Sequence, residues 1–202
     1  MNPQLMWWFA RATGMVAGVV LVASLVFGVL ISTRALKPID RPVWLLAMHR
    51  WLSSLACVLI GMHLFGLIAD NFVHFGWKEI FVPGGSPWKT APVALGVVAM
   101  YLLVIVQFTS LIMRRLPRNL WKFLHYFSYA AVWLTSLHGA LAGTDARNPL
   151  YRTVALGLTF VAVAAAVIRV VVGTTRAQAA RRAEQRRVAD EAAVSGQRLS
   201  SR

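Results

Sequence analysis

The sequence is poor in acidic residues, in cysteine and in charge of any kind. Its 202 residues include 7 Asp and Glu, against 21 Lys and Arg, and a single cysteine, Cys57. One cysteine excludes an internal disulfide. A composition of 14% charged and 58% hydrophobic residues is too apolar for an ordinary soluble domain. The composition therefore indicates a protein that lies in lipid.

The apolar residues are gathered into runs long enough to cross a bilayer as helices, which takes about 20 residues each. There are five such runs: Gly14 to Ser32, Val43 to Ala69, Ala91 to Met113, Phe123 to Ala142 and Thr153 to Val172. The first is too long for a signal peptide and lacks a small-residue cleavage site, so we expect it to be retained. We predict an all-α integral membrane protein: a five-helix transmembrane bundle over residues 1–173 and a basic tail over residues 174–202. The tail is expected to be helical from Thr174 to Val194 and disordered from Ser195 to Arg202.

The basic residues are sorted by loop, which predicts the orientation of the chain in the membrane. Sixteen of them face one side: Arg34, Lys37, Arg41, Arg50, Arg114, Arg115, Arg118, Lys122, Arg169, Arg176, Arg181, Arg182, Arg186, Arg187, Arg198 and Arg202. The positive-inside rule then places the N-terminus outside and the C-terminus in the cytoplasm. The net charge of +14 is thereby explained by topology and lipid headgroups, and no nucleic-acid partner is expected. We expect a multi-pass protein of the plasma membrane, such as a bacterial inner membrane.

Four of the five histidines lie inside the apolar runs, where ionisable groups are costly and usually functional. His49 and His63 share the second run and are 14 residues apart, whereas His125 and His138 share the fourth and are 13 apart. Each helix therefore carries a histidine at two depths, about 20 Å apart at 1.5 Å per residue. Because the two helices run in the same direction, His49 is expected to face His125 near the cytoplasm, and His63 to face His138 near the outer side.

Two opposed imidazoles are the axial ligands of a low-spin haem, and an apolar macrocycle packs well between helices. We therefore predict two b-type haems, with His49 and His125 on the inner iron and His63 and His138 on the outer iron. A zinc site is disfavoured because it needs three or four ligands at one depth, and no carboxylate lies near either pair. A proton-conducting chain is disfavoured because none of the runs contains Asp or Glu.

Two further side chains are candidates with weaker support. Arg50 adjoins His49, and it is expected to pair with a propionate of the inner haem, although a cytoplasmic topology charge explains it equally well. His74 lies in the outer loop, where it is a candidate acceptor or metal site, although a lone loop histidine is more often polar surface.

The stretches LLAMHRWLSSLACVLIGMHLFGLIAD and RRLPRNLWKFLHYFSYAAVWLTSLHGALAGTD resemble the ferric reductase-like transmembrane domain family. That family includes the membrane halves of NADPH oxidases and ferric reductases and the haem subunit of the periplasmic methionine sulfoxide reductase system. The resemblance covers roughly residues 8 to 172. Its most specific parts are the paired histidines and the Leu-Trp-Lys-x-Leu-His sequence from Leu120 to His125. By this resemblance the four histidines match the haem ligands of the family.

The resemblance implies the haem b subunit of an oxidoreductase, which passes electrons outward to an extracytoplasmic acceptor. Unlike NADPH oxidases, the sequence contains no nucleotide-binding pattern after the membrane domain, so a separate flavoprotein, a flavodoxin-like carrier or membrane quinol is expected to supply the electrons. Two alternatives stay open: a quinol-oxidising cytochrome b subunit, and a sensor or scaffold that binds haem or metal without turnover. The oligomeric state and the haem potentials are not predicted.

Overall fold

The computed structural model describes residues 4–35, 42–71 and 73–200, with side chains up to residue 187 apart from those of residues 42 and 146. The described chain is helical and contains no strand. It has five long helices and one short one: α1 (Leu5–Thr33), α2 (Pro42–Ile68), α3 (Trp77–Phe81), α4 (Thr90–Leu111), α5 (Arg118–Ala142) and α6 (Pro149–Ser200). Single 3-10 turns at Met113–Arg115 and Thr144–Arg147 precede α5 and α6.

Within the part of the chain that the structure describes, four helical segments are long and apolar enough to cross a membrane: Leu5–Thr33, Val43–Ile68, Thr90–Leu111 and Pro149–Arg187. The chain is therefore a multi-pass membrane protein. The fifth long helix, α5, is not among them; its mean hydropathy is below that of α1, α2 and α4, and it contains two histidines, two tyrosines and two tryptophans among its apolar residues. The predicted apolar runs thus fall on the five long helices, and membrane crossing by α5 stays a prediction.

Contacts between the helix ends establish the direction of each helix. His63 on α2 contacts Ala10 on α1, and His138 on α5 contacts Pro92 on α4, so both sequential helix pairs are antiparallel hairpins. Asp145, just before α6, pairs with Arg11 near the start of α1, so α6 runs parallel to α1. We call the end where α1, α4 and α6 begin the upper end, and the opposite end the lower end.

Polar contacts link neighbouring helices at both ends of the bundle. At the upper end, Arg11 and Asp145 form an ion pair, and Lys89 donates to the last carbonyl groups of α5. At the lower end, Arg176 on α6 donates to the carbonyl of Thr33, the last residue of α1. These cations compensate free carbonyl groups and the negative end of a helix dipole.

The centre of the bundle is aliphatic. The buried residues of this midplane layer are Leu21, Val22, Leu25, Ala56, Val132 and Ala162. They come from α1, α2, α5 and α6, and Ala56 is seven residues from both histidines of α2. The layer therefore separates an upper from a lower half of the bundle. Many large apolar side chains around it are exposed, as a bilayer requires; Phe160, for example, is 73% exposed.

The basic tail continues the last helix. α6 extends without interruption from Pro149 to Ser200, which agrees with the helix expected from Thr174 to Val194. The predicted disorder from Ser195 is wrong as far as Ser200, which still belongs to the helix. Lys37, Arg41 and Arg202, which contribute to the predicted charge asymmetry, lie outside the described residues, and the side chain of Arg198 is not described.

Candidate functional site: two histidine pairs

The four intramembrane histidines form two pairs, one in each half of the bundle. In the upper pair the ring centres of His63 and His138 are 6.5 Å apart, and in the lower pair those of His49 and His125 are 6.1 Å apart. Each pair joins α2 to α5 across the bundle. These are the partners that the 14- and 13-residue spacings predict, and they require α2 and α5 to run in parallel.

The separation of the rings fits one metal ion held between two imidazoles. An imidazole nitrogen binds a transition metal at about 2.0 Å and lies about 1.1 Å from its ring centre, so opposed ligands place their ring centres roughly 6.2 Å apart. The observed 6.1 Å and 6.5 Å bracket this value. Among the described residues, no three His, Cys, Asp or Glu side chains come together. Each pair therefore offers two imidazole ligands, the number that a bis-imidazole haem would take.

Hydrogen bonds fix the tautomer of three of the four rings. The Nδ1–H group donates to a backbone carbonyl in His63 (Ala10, 2.7 Å), in His138 (Pro92, 2.8 Å) and in His49 (Ser24, 2.9 Å). A carbonyl oxygen can only accept, so Nδ1 carries the proton in each ring and the lone pair of Nε2 is free. Metal-binding histidines are normally oriented in this way by a second hydrogen bond.

Three glycines allow these rings to approach a neighbouring helix closely. A Cβ atom would lie 2.8 Å from His63 at Gly14, 2.6 Å from His138 at Gly96, and 3.2 Å from His49 at Gly28. A side chain at Gly14 or Gly96 would therefore displace a candidate ligand. Sequence reasoning missed these positions. The sequence feature that could have indicated two of them is the spacing of 14 residues between Gly14 and Gly28, which equals the spacing of the two histidines on α2.

A cavity of about 490 Å³ surrounds the upper pair, which is a volume typical of small-molecule and cofactor sites. All five long helices line it, and the lining is mostly apolar. Arg11 and Arg152 add positive charge to it, and Asp145 and Glu79 add two carboxylates. The cavity therefore offers room for a large apolar group beside His63 and His138.

The lower pair has an aromatic neighbour. The indole of Trp121 stacks on His125, with ring centres 5.2 Å apart and an angle of 29° between the planes. The Nε1–H group of Trp121 is buried and has no hydrogen-bond acceptor among the described residues. Buried donors usually have a partner, so this one fits an oxygen atom of a bound group, such as a haem propionate.

The structure does not bring the two weaker candidates into contact with the pairs. Arg50 is exposed, although it follows His49 directly in the sequence. His74 is also exposed, adopts a left-handed backbone conformation with φ of 54°, and does not line the cavity around the upper pair. A propionate contact for Arg50 and an acceptor site at His74 stay predictions.

Comparison with known proteins adds one match. A family model described as "Ferric reductase like transmembrane component" matches residues 13–137. The match covers more than half of the chain, includes His49, His63 and His125, and ends one residue before His138. No curated protein and no solved structure matches the chain significantly.

Proposed function

Because the chain belongs to the ferric reductase-like transmembrane component family, whose members carry electrons across membranes, we propose that it does so through two b-type haems. The proposal rests on the two imidazole pairs, of which one lies in the upper half of the bundle and the other in the lower half. In each pair the distance between the ring centres fits one metal ion bound by both rings. Haem, when bound, supplies the one-electron chemistry of its iron. The proposed ligands are His49 and His125 at the lower site and His63 and His138 at the upper site.

The chain's own part is to hold and orient the two groups and to keep water from them. The backbone carbonyls of Ala10, Pro92 and Ser24 accept hydrogen bonds from the Nδ1–H groups of three imidazoles, so the Nε2 atom of each would be free to bind a haem iron. The free N–H group of Trp121 is placed to bind a propionate at the lower site. The apolar lining of the upper cavity excludes water and favours a large macrocycle.

The proposed orientation places the lower end in the cytoplasm. Exposed basic side chains collect at this end: Arg34, Arg50, Arg114, Arg115, Arg118 and Lys122. They follow the positive-inside rule, and they also form a surface that attracts an anionic protein donor. We propose that a separate flavoprotein, a flavodoxin-like carrier or membrane quinol reduces the lower haem, and that electrons leave from the upper haem to an extracytoplasmic acceptor. In this view the chain is the electron-transfer subunit of an oxidoreductase in a plasma membrane.

The first test is a reduced-minus-oxidised spectrum of the detergent-purified protein, with haem quantified as its pyridine complex. We expect two low-spin b haems per chain. His63→Ala and His49→Ala should each reduce this to one, because each removes an axial ligand from a different site. His74→Ala is the matched control and should keep both haems, because His74 is exposed and does not line the cavity around the upper pair.

Two results of these haem measurements would contradict the proposal. Folded protein, produced with haem available, that contains no haem would overturn the proposal. Loss of both haems in either single variant would also contradict it, because the two sites share no ligand. If quinol reduces the two-haem protein without a protein donor, the chain acts as a quinol-oxidising cytochrome b.

A further inference from the structure

Three of the four candidate ligands follow one rule in their hydrogen bonding. The accepting carbonyl belongs to the residue four positions before the glycine that faces the ring: Ala10 before Gly14, Ser24 before Gly28, and Pro92 before Gly96. In a helix the side chain of a residue covers the turn that precedes it. A glycine therefore leaves the carbonyl of the preceding turn open to the imidazole N–H group.

His125 is the exception. The position that corresponds to Gly96, one 14-residue step along α4, is Ser110. The Ser110 side chain lies over the turn that contains the carbonyl of Val106, four residues earlier. The Nδ1 atom of His125 lies 3.4 Å from the Ser110 hydroxyl, and among the described residues this is its closest hydrogen-bond partner. That distance exceeds the 2.7–3.2 Å typical of N–H···O bonds, so the bond is weak.

The difference matters for a haem because the hydrogen bond of an axial imidazole tunes the iron. A carbonyl that accepts a hydrogen bond from the Nδ1–H group makes the imidazole a stronger electron donor to the iron. This stabilises ferric iron and lowers the reduction potential of the haem. A distant hydroxyl does this less. The upper pair has two carbonyl acceptors, at 2.7 and 2.8 Å, whereas the lower pair has one, at 2.9 Å.

On the basis of the proposed function, we propose that Ser110 is a positioning residue that keeps the reduction potential of the lower haem above that of the upper haem. It does so by placing its hydroxyl where the other three ligand sites have an open carbonyl. The lower haem is thereby the readier electron acceptor, at the end that carries the exposed cations. Those cations act in the same direction, because positive charge favours the reduced iron, whereas the two arginines at the upper cavity are balanced by Asp145 and Glu79.

Two substitutions at Ser110 should shift the potential of the lower haem in opposite directions. Ser110→Gly opens the Val106 carbonyl to His125 and should lower the potential. Ser110→Ala keeps the carbonyl covered but removes the hydroxyl, and should raise it. The expected change in the ratio of reduced to oxidised lower haem is roughly three- to tenfold in each case, which is roughly 30–60 mV for a one-electron couple. A residue that only fills space would not produce shifts of opposite sign.

The measurement is a spectroscopic redox titration of the purified two-haem protein. The wave that His49→Ala removes is assigned to the lower haem, and the remaining wave is an internal reference. Ser24→Ala is the matched control, because the Ser24 hydroxyl lies 3.2 Å from His49 but His49 keeps its carbonyl acceptor. We expect Ser24→Ala to shift the lower wave less than either Ser110 variant.

The results separate this inference from the proposed function. A protein without two haems overturns both. Two haems with the lower wave below the upper wave overturn the inference alone, as do Ser110 variants that shift the lower wave in the same direction or leave it unchanged. Loss of the lower haem in Ser110→Gly would also contradict the inference, because glycine is the residue found at the other three ligand sites.

Discussion

Gly96 is the position where the smallest possible change should have the largest effect on a candidate site. In Gly96→Ala the new Cβ atom would lie 2.6 Å from Nδ1 of His138, 2.8 Å from Cε1 and 3.0 Å from Cγ. Carbon atoms in contact normally stay about 3.5 Å apart, so the imidazole has to retreat by roughly 0.9 Å. The 2.8 Å hydrogen bond from His138 to the Pro92 carbonyl cannot survive such a shift unchanged.

The cost of this displacement can be estimated. Overpacking by one methyl group in a rigid interior costs about 1–3 kcal/mol. If this cost falls on the haem-bound form, binding at the upper site weakens by roughly 5- to 150-fold. The lower site should be unaffected, because His49 and His125 lie about 20 Å away along the helices.

Haem transfer to excess apomyoglobin, followed by absorbance, measures this effect directly. We expect one of the two haems to leave Gly96→Ala roughly 5 to 150 times faster than it leaves the wild type. Gly61→Ala is the matched control, since Gly61 is only two residues from His63 but has open space around it. Gly28→Ala, where the contact distance is 3.2 Å, should have a smaller effect, at the lower site. Equal transfer rates for Gly96→Ala and Gly61→Ala would refute the assignment of Gly96 as the close-approach position for a haem ligand.

Three further predictions concern the ends of the bundle. Asp145→Asn removes the ion pair with Arg11; the Arg11 side chain is 18% exposed and the Asp145 side chain 23%. The substitution should lower the free energy of unfolding by about 1–2 kcal/mol, measured as a lower Tm in detergent. An unchanged Tm would contradict a stabilising role for this pair. Trp121→Phe keeps the ring stack on His125 but loses the N–H group, whereas Trp121→Ala loses both; the lower site should therefore hold haem in the order wild type, Phe, Ala, and equal haem transfer rates in all three would exclude Trp121 from that site. Arg176→Ala frees the last carbonyl groups of α1 and should cost about 1 kcal/mol, measured by thermal unfolding, with exposed Arg181→Ala as the control that should change nothing.

The positions of the long helices could be predicted from the sequence because membrane-spanning segments are marked by continuous apolar runs. The pairing of the histidines could also be predicted, because spacing along a helix fixes depth and parallel helices match depth for depth. The hydropathy of α5 shows the limit of this reasoning. The two candidate ligands on α5, His125 and His138, make the helix that carries them less like a membrane helix.

The groups that orient the histidines could not be predicted from spacing alone. Gly14 and Gly96 matter because α1 faces α2 and α4 faces α5, and this depends on the three-dimensional packing of the helices. The ion pair of Arg11 with Asp145 joins residues 134 positions apart, so no local pattern indicates it. A repeat of 14 residues in the small residues of α1 and α4 is a sequence signal that could be used for related chains.

The aliphatic midplane layer has a consequence for energy conversion. Its buried members, such as Leu21, Ala56 and Val132, contain no group that can carry a proton. If electrons pass between the two proposed sites, the buried side chains of this layer supply no proton to accompany them, and turnover would move net charge across the membrane. The two sites are about 21 Å apart along the helices, which is roughly two-thirds of a 30 Å hydrocarbon core. Moving one electron between them would therefore change its electrostatic energy by roughly 1.6 kcal/mol for each 100 mV of membrane potential. The voltage across the membrane thus sets how readily the upper site is reduced.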